Sequence, residues 1–384
     1  MSVNRSNTMK KTRETILVNP AVLAWFGERC GGLEDFAQSQ SKTELGQQKI
    51  LRGELTESQA KALAHKADKS VGFLLLDTPP RDVQISIPDL RTRNDKTPLD
   101  ENFKKIYLDA IYKQDWLIET RNNLGVDELK FVGKFNTSAK VKDIVADMNR
   151  VLTPPHPTTQ TDIDGYYRNL VKSAEAAGVL VIQNSCVINN THRHLDTNQF
   201  LGFSVAHKIV PMIFINTADK SKAKIFTLIH ELAHLWLNAS GISESYRNKD
   251  SKIEALCNKI AGEFLVPQGE FLKLWKDGMD PLSQIKTIGD KFKVSHVVVA
   301  VVALINNKIN EQEFQDIRNQ YKARDEQAPK SGSSNMQIAS VINRSGHVLA
   351  EMVARRLAEG YIDYKDASLL LNVKINKVSR YVRF

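Results

Sequence analysis

The spacing of apolar positions along the chain predicts a protein made mainly of helices. Near the N-terminus, apolar residues recur every three to four positions in several short runs that glycines interrupt. The last of these runs opens on Thr-Glu-Ser-Gln at residues 56–59, a capping box that starts a helix. Prolines at positions 79 and 80 end the region, so the sequence predicts a compact all-helical module over residues 14–80.

The middle of the chain mixes helical spacing with short apolar runs that are typical of buried strands. Residues 81–160 begin as a proline-containing linker and then return to helical spacing. Strands are predicted at residues 179–182, 201–205 and 212–215, and helices at 221–238 and 251–264 with a polar loop between them. The fold class is therefore predicted to be α+β, mainly helical, with a short sheet.

Composition narrows the class of protein without naming a function. Hydrophobic residues make up 42% of the chain, a fraction typical of a folded globular protein. The length of 384 residues exceeds what one hydrophobic core usually organises, so more than one domain is expected. The formal net charge of +9 fits nucleic-acid contact or simple solubility. The chain has three widely spaced cysteines, which favours a reducing compartment over a disulfide framework. It shows no apolar run of membrane-spanning length and no secretory signal. We therefore expect a cytoplasmic protein with no membrane partner.

Residues 230–234, His-Glu-Leu-Ala-His, carry the strongest chemical signal. On a helix, His230 and His234 lie one turn apart on the same face and can bind one metal ion. Glu231 can reach a water molecule at an open coordination position, which makes it the candidate general base. Zinc is the expected metal, and the pattern leaves another divalent metal such as manganese open. A pair of surface histidines on an amphipathic helix is the alternative without a metal.

A catalytic zinc ion needs a third protein ligand, and the next predicted helix offers one. Glu254 lies twenty residues after His234, and Asn258 lies one turn further on the same face, where it can orient a ligating imidazole. Glu263 is a competing ligand nearly three turns beyond Glu254. Cys257 lies about 100° around the helix from Asn258 and is predicted to be a packing thiol. An ordinary exposed glutamate is the alternative interpretation of Glu254.

Three stretches together resemble the ImmA/IrrE-type metallopeptidases of the gluzincin group. They are FTLIHELAHLWL at residues 226–237, EFLVP at residues 263–267, and the segment 210–219. The resemblance implies zinc on the two histidines and Glu254, with Glu231 as the base. It also implies a role in bacterial or phage regulation through cleavage of a repressor or antitoxin-like protein.

The upstream region resembles the subset of this family in which an Xre-type helix-turn-helix precedes the peptidase domain. In such a module, the N-terminal part of the recognition helix contacts base edges, and cations around it contact phosphates. A helical docking module that binds no DNA is the alternative. The predicted DNA contacts are Lys42, Thr43, Gln47, Gln48, Lys49 and Arg52.

The predicted organisation has five segments. They are an Xre-like helix-turn-helix module at 14–80, a linker and helical segment at 81–160, an ImmA/IrrE-type metallopeptidase domain at 161–275, a helical extension at 276–324, and a small C-terminal helical segment at 337–384.

The predicted function is that of a zinc metallo-endopeptidase acting in a bacterial, phage or mobile-element control system. Its expected partners are a regulatory protein as substrate and double-stranded DNA bound through residues 14–80. The strand predicted near residue 214 is expected to offer an exposed edge for an extended peptide. The alternative function is a transcriptional regulator or toxin–antitoxin component that uses the metal site for sensing or structure.

Overall fold

The chain forms two compact units, Met1–Ile85 and Ser86–Phe384. A computed structural model describes residues 15–67, 69–80, 100–157, 162–219, 221–239, 241–243, 252–327 and 338–382. The predicted linker at residues 81–98 lies outside these described residues.

In the first unit, short helices surround a small apolar core. Its elements are β1 (Thr15–Leu17), α1 (Pro20–Arg29), α2 (Leu33–Gln40), α3 (Glu44–Leu51), β2 (Glu54–Thr56), α4 (Glu57–Lys66) and a 3₁₀ helix, Val71–Leu75. The four α-helices were predicted. The antiparallel pairing of β1 with β2 was not.

Local sequence explains where these helices begin. Asn19 accepts a hydrogen bond from the backbone N–H of Ala21, and Pro20 occupies the first helical position of α1. The predicted capping box is confirmed, because Thr56 and Gln59 exchange hydrogen bonds at the start of α4. The apolar faces so positioned bury the core residues Phe26, Phe36, Ile50, Leu63 and Leu74.

In the second unit, helices enclose a four-stranded sheet. Its first eight elements are α5 (Glu101–Asn123), α6 (Val141–Leu152), α7 (Ile163–Ala176), β3 (Leu180–Asn184), β4 (Cys186–Val187), β5 (Asn190–His194), β6 (Gly202–Val205) and β7 (Met212–Asn216). Those that follow are α8 (Ser221–Trp236), β8 (Gly241–Ser243), α9 (Lys252–Leu265), α10 (Gln268–Leu274), α11 (Pro281–Phe292), α12 (His296–Ile305), α13 (Glu311–Gln327), α14 (Ile338–Ser345), α15 (His347–Ala358), α16 (Tyr364–Leu371) and a 3₁₀ helix, Ile375–Arg380.

This mainly helical architecture with small sheets is compatible with the predicted α+β class. No helix among the described residues combines the length and apolar character needed to cross a membrane.

The main sheet has the strand order β3-β7-β6-β8. β3 and β7 are parallel, whereas β6 pairs antiparallel with both β7 and β8. The expectation of an exposed edge at β7 is therefore wrong, because β3 and β6 cover its two sides. The outer position beyond β6 belongs to β8, in a region for which the sequence predicted only a polar loop.

The two faces of this sheet carry different layers. Val181, Ile213 and Ile215 belong to the large apolar core that also contains α8. On the opposite face, Phe203 stacks on Phe214 with ring centroids 5.0 Å apart, and both lie on the side of α5. The alternation follows from the two-residue period of a strand.

The predicted segments 81–160, 161–275, 276–324 and 337–384 all contribute elements to the second unit. Ile144 and Met148 of α6 are fully buried in the same core as Leu228 of α8. Val298 of α12 belongs to that core too. Farther along, α14 packs against β3. Residues of α6 and α12 therefore lie in the same core as α8, and the C-terminal segment packs against the sheet through α14.

Candidate metal centre

The predicted metal-binding motif lies on α8, a helix that is buried on nearly all sides. This helix packs against β6, β7, α7 and α9. His230, Glu231 and His234 have exposed fractions of 4%, 0% and 2%. The alternative of a surface histidine pair is therefore wrong. Burying these groups is costly unless a partner compensates for it.

Three potential ligand atoms converge between α8 and α9. The Nε2 atoms of His230 and His234 lie 3.0 Å apart. The carboxylate of Glu254 reaches both imidazoles, with Oε2 3.1 Å from Nε2 of His230 and Oε1 3.1 Å from Nε2 of His234. Within the described part of the chain, these three residues form the group of histidine, cysteine and acidic side chains that could hold a metal ion.

The donor set fits a small divalent cation. Donors held about 2.0 to 2.1 Å from a tetrahedral zinc ion are roughly 3.3 to 3.4 Å apart, close to the separations observed here. Two imidazole nitrogens so near one another also repel unless a proton or a cation lies between them. Two nitrogens and one carboxylate are donors that zinc accepts, and three protein ligands leave one position of a tetrahedron open.

The electrostatics of Glu254 suit a ligand. Burial alone would raise the pKa of this carboxyl. Hydrogen bonds and charge from His230 and His234 outweigh burial and hold the pKa well below its usual range. The group is therefore an ionised carboxylate, which is the form that binds a metal ion.

Glu231, the candidate base, lies against the backbone of β6. A Cβ atom added to Gly202 would lie 3.2 Å from Oε1 of Glu231, 2.8 Å from the carbonyl oxygen of Phe214 and 2.9 Å from Cγ2 of Thr227. Only a glycine leaves this space open. Gly202 was not among the predicted site residues, although a glycine inside a short strand signals close approach of another group.

The contact predicted for Asn258 is not formed. Asn258 lies half-buried on α9, and the buried Nδ1 atoms of His230 and His234 have no hydrogen-bond partner in the part of the chain that the structure describes. Its role in orienting an imidazole stays a prediction.

The two competing residues on α9 have other surroundings. Oε2 of Glu263 accepts a hydrogen bond of 3.1 Å from the backbone N–H of Gln268 at the start of α10, so this carboxylate caps a helix. Cys257 is fully buried. Burial first, and then the charges of Glu254 and Glu231, raise the pKa of its thiol well above its ordinary value. Cys257 is thus a packing thiol.

The candidate DNA contacts lie just before α3, within it and just after it. Thr43 is the N-cap of α3 and accepts a hydrogen bond from Gly46, and the half-buried Gln47 donates one of 3.0 Å to the carbonyl oxygen of Ser41. These two side chains therefore also stabilise the turn between α2 and α3. The exposed ones are Lys42, Thr43, Gln48, Lys49 and Arg52.

The candidate metal centre lies within a stretch of the chain that matches a known protein family. Residues 174–303 match the family described as the IrrE N-terminal-like domain, peptidase M78. The match contains His230, Glu231, His234 and Glu254, and it supports a metallopeptidase-type function. The first unit and the C-terminal helices lie outside it. A search of curated proteins found no match.

Proposed function

We propose that this protein is a zinc-dependent endopeptidase whose active site is formed by α8 and α9. The observation that carries the proposal is the convergence of His230, His234 and Glu254, with the buried Glu231 directly after the first histidine. Structural zinc sites use four protein ligands, whereas catalytic sites use three and keep one position open.

The residues of the chain supply the proton transfers. A zinc ion held by the three ligands would act as a Lewis acid, lowering the pKa of a water molecule and polarising the carbonyl of the scissile peptide bond. The carboxylate of Glu231 accepts a proton as that water attacks the carbonyl carbon, and it then delivers the proton to the leaving amine. Gly202 leaves room for this carboxylate on the side of the sheet, because a Cβ atom there would lie 3.2 Å from Oε1.

The proposed substrate is a protein segment in an extended conformation. β8 has one neighbour among the described strands, β6, and its other side is where a further strand would pair. Backbone hydrogen bonds to such an edge hold a peptide largely independently of its side chains. The resemblance to ImmA/IrrE-type enzymes points to a repressor or antitoxin-like protein as the substrate in a bacterial, phage or mobile-element control system. The first unit would then bind DNA.

Three variants of the full chain test the chemistry. Glu231→Gln is expected to retain zinc and to lose cleavage by about 10²- to 10⁴-fold, the usual contribution of a general base. Glu254→Gln is expected to lose zinc as well as cleavage. Glu263→Gln, on the same helix, is the matched control and is expected to keep both, with lower thermal stability because it caps α10.

The measurements are zinc content by elemental analysis and new protein N-termini in cells that express each variant. A substrate should be cleaved in the presence of wild type and intact with Glu231→Gln. Equal cleavage by wild type and Glu231→Gln would contradict the proposal. Bound zinc without any cleavage in wild type would favour the alternative of a regulator with a structural or sensing metal.

A further inference from the structure

The C-terminal end of α8 is held by residues 131–135 and by α6, a set of contacts called here the α8 clamp. The backbone N–H of Gly133 donates to the carbonyl oxygen of Leu235 at 2.9 Å, and that of Phe135 donates to the carbonyl oxygen of Trp236 at 3.1 Å. These carbonyls belong to the last turn of the helix, where intrahelical partners run out, and that of Leu235 also accepts from the backbone N–H of Asn238 at 3.3 Å. The clamp therefore fixes the helix end by its backbone.

A close approach makes this backbone contact possible. Gly133 has a φ of +68°, and a Cβ atom there would lie 2.9 Å from Cβ of Asn238, just beyond α8. A larger residue at position 133 would separate the clamp from the helix.

The second half of the clamp is made by side chains. Trp236 is fully buried, its ring stacks on Phe131 with centroids 4.3 Å apart, and its Nε1–H donates to Oδ2 of Asp147 at 3.0 Å. The other carboxylate oxygen of Asp147 accepts hydrogen bonds from Lys134 and Arg150. Asp147 is only 7% exposed, and its carboxylate accepts hydrogen bonds from one indole and two cationic side chains.

Apolar packing alone does not explain a buried carboxylate at position 147. A buried carboxylate is costly to desolvate, and an apolar residue could pack against an indole at no such cost. The carboxylate adds a directional contact, because its hydrogen bond to Nε1 favours one orientation of the Trp236 side chain. Trp236 lies two residues after His234 on the same helix, so a contact that restrains Trp236 also restrains the turn that carries His234.

We infer that Asp147 is a positioning residue for the metal centre, acting on His234 through Trp236. The inference rests on the proposed metal site. Metal centres tolerate displacements of only about 0.5 Å in their ligands, and the supporting contacts set that tolerance. Nδ1 of His234 has no hydrogen-bond partner among the described residues, so on that side of the ring the orientation depends on the helix that carries it.

The test uses the full chain loaded with cobalt(II), whose visible absorption reports the geometry around the metal. Trp236→Phe keeps the stacked ring and removes the N–H donor. Asp147→Ala removes the acceptor, and Asp147→Asn keeps a neutral oxygen that can still accept from Trp236. Trp236→Phe and Asp147→Ala are expected to alter the cobalt spectrum and to weaken metal binding by about 10- to 100-fold, and Asp147→Asn is expected to recover part of both.

The matched control is Asp109→Asn, which breaks the buried ion pair of Asp109 with Lys113 on α5. It is expected to lower the melting temperature while leaving the cobalt spectrum unchanged. An unchanged spectrum and metal affinity in Trp236→Phe would overturn the inference, even where Asp147→Ala fails to fold.

Metal binding separates this inference from the proposed function. A chain that binds cobalt normally but cleaves nothing would contradict the peptidase proposal and leave the clamp supported by its spectra. A chain that cleaves its substrate, with the same cobalt spectrum in wild type and Trp236→Phe, would contradict the clamp alone. A wild-type chain that binds no cobalt would overturn both.

Discussion

Gly202 and Glu231 face each other where β6 passes α8, and the fit between them leaves no room for a side chain. A Cβ atom at position 202 would meet the carbonyl oxygen of Phe214 at 2.8 Å and Cγ2 of Thr227 at 2.9 Å. Backbone oxygen cannot move aside as a flexible side chain can. A substitution here must therefore displace either the strand or the helix that carries the candidate base.

We predict that Gly202→Ala lowers cleavage by at least about tenfold and destabilises the fold by about 1–3 kcal/mol, the usual cost of overpacking. Zinc binding should persist, because the three ligands lie on α8 and α9. Steady-state cleavage, zinc content and thermal unfolding measure the three effects. Gly269→Ala is the control, since a Cβ there meets nothing within 4 Å. Unchanged cleavage in Gly202→Ala would show that the contact with Glu231 does not matter.

Whether a site residue could be predicted from the sequence depends on how far along the chain its contacts lie. His230, Glu231 and His234 follow from helical spacing alone, which is local. Glu254 required only the next helix. Gly202 and Asp147 could not be assigned from spacing, because their roles arise from the packing of β6 and α6 against α8. For Asn258, helical spacing suggested a contact with an imidazole Nδ1 that the described residues do not form, so its role stays a prediction.

Among the elements, α15 shows how one helix can cap another. Its N-cap is Gly346, which has no side chain to offer, and the backbone N–H of His347 instead donates to Oε1 of Glu175 on α7 at 2.9 Å. Burial raises the pKa of Glu175 to about 7, and the nearby charge of Glu351 adds to the rise. The hydrogen bond from His347 and the charge of Lys172 act in the other direction.

This raised pKa predicts a pH dependence of stability. Between the ordinary value of 4.5 and about 7, the folded state binds a proton at Glu175 that the unfolded state has released. Stability should therefore fall as the pH rises through this window, and the contribution should be constant above it. Glu175→Gln, which carries no charge, is expected to remove this part of the dependence.

Thermal unfolding of wild type and Glu175→Gln is measured at pH 5, 6, 7 and 8. The difference in stability between the two proteins at each pH isolates the contribution of Glu175, because the other titrating groups contribute equally to both. Glu119→Gln, on the exposed surface of α5, is the control and should leave the wild-type profile in place. Parallel profiles for wild type and Glu175→Gln would contradict a raised pKa at this cap.

The elements that the sequence did not reveal are those that depend on distant partners. β8 is only Gly-Ile-Ser, with no alternation long enough to predict a strand, and it exists because it pairs with β6. Met212–Asn216 was correctly predicted as a strand, but its interior position follows from the pairing of β3 and β6 with it. Strand order is a property of the whole sheet, whereas strand formation is partly local.

At the scale of the molecule, the second unit is larger than the domain that the family comparison identifies. The match spans residues 174–303, yet α6 contributes Ile144 and Met148 to the core around α8. Proline-rich composition and breaks in periodicity suggested boundaries inside this unit. Those signals are local, whereas the packing of α6 and α12 into the core of α8 depends on contacts between distant parts of the chain.

The predicted DNA contacts lie in the first unit, and the candidate metal ligands lie in the second. Around α3, Lys42, Lys49 and Arg52 are exposed cations. We predict that the full chain binds double-stranded DNA from its own upstream region at low salt. The charge-removing variant Lys49→Ala/Arg52→Ala should bind more weakly, with a salt dependence reduced by about one phosphate contact for each cation lost.

The control for this DNA prediction is Lys61→Ala, because Lys61 is paired with Glu57 on α4, away from the turn between α2 and α3. Binding curves at several salt concentrations separate loss of phosphate contacts from unfolding, and zinc content should be equal in all variants because the metal centre lies in the other unit. Equal DNA affinity and salt slope in the wild type and the double variant would place any DNA contact elsewhere. Absence of binding by wild type at low salt would leave the first unit as a docking module for proteins.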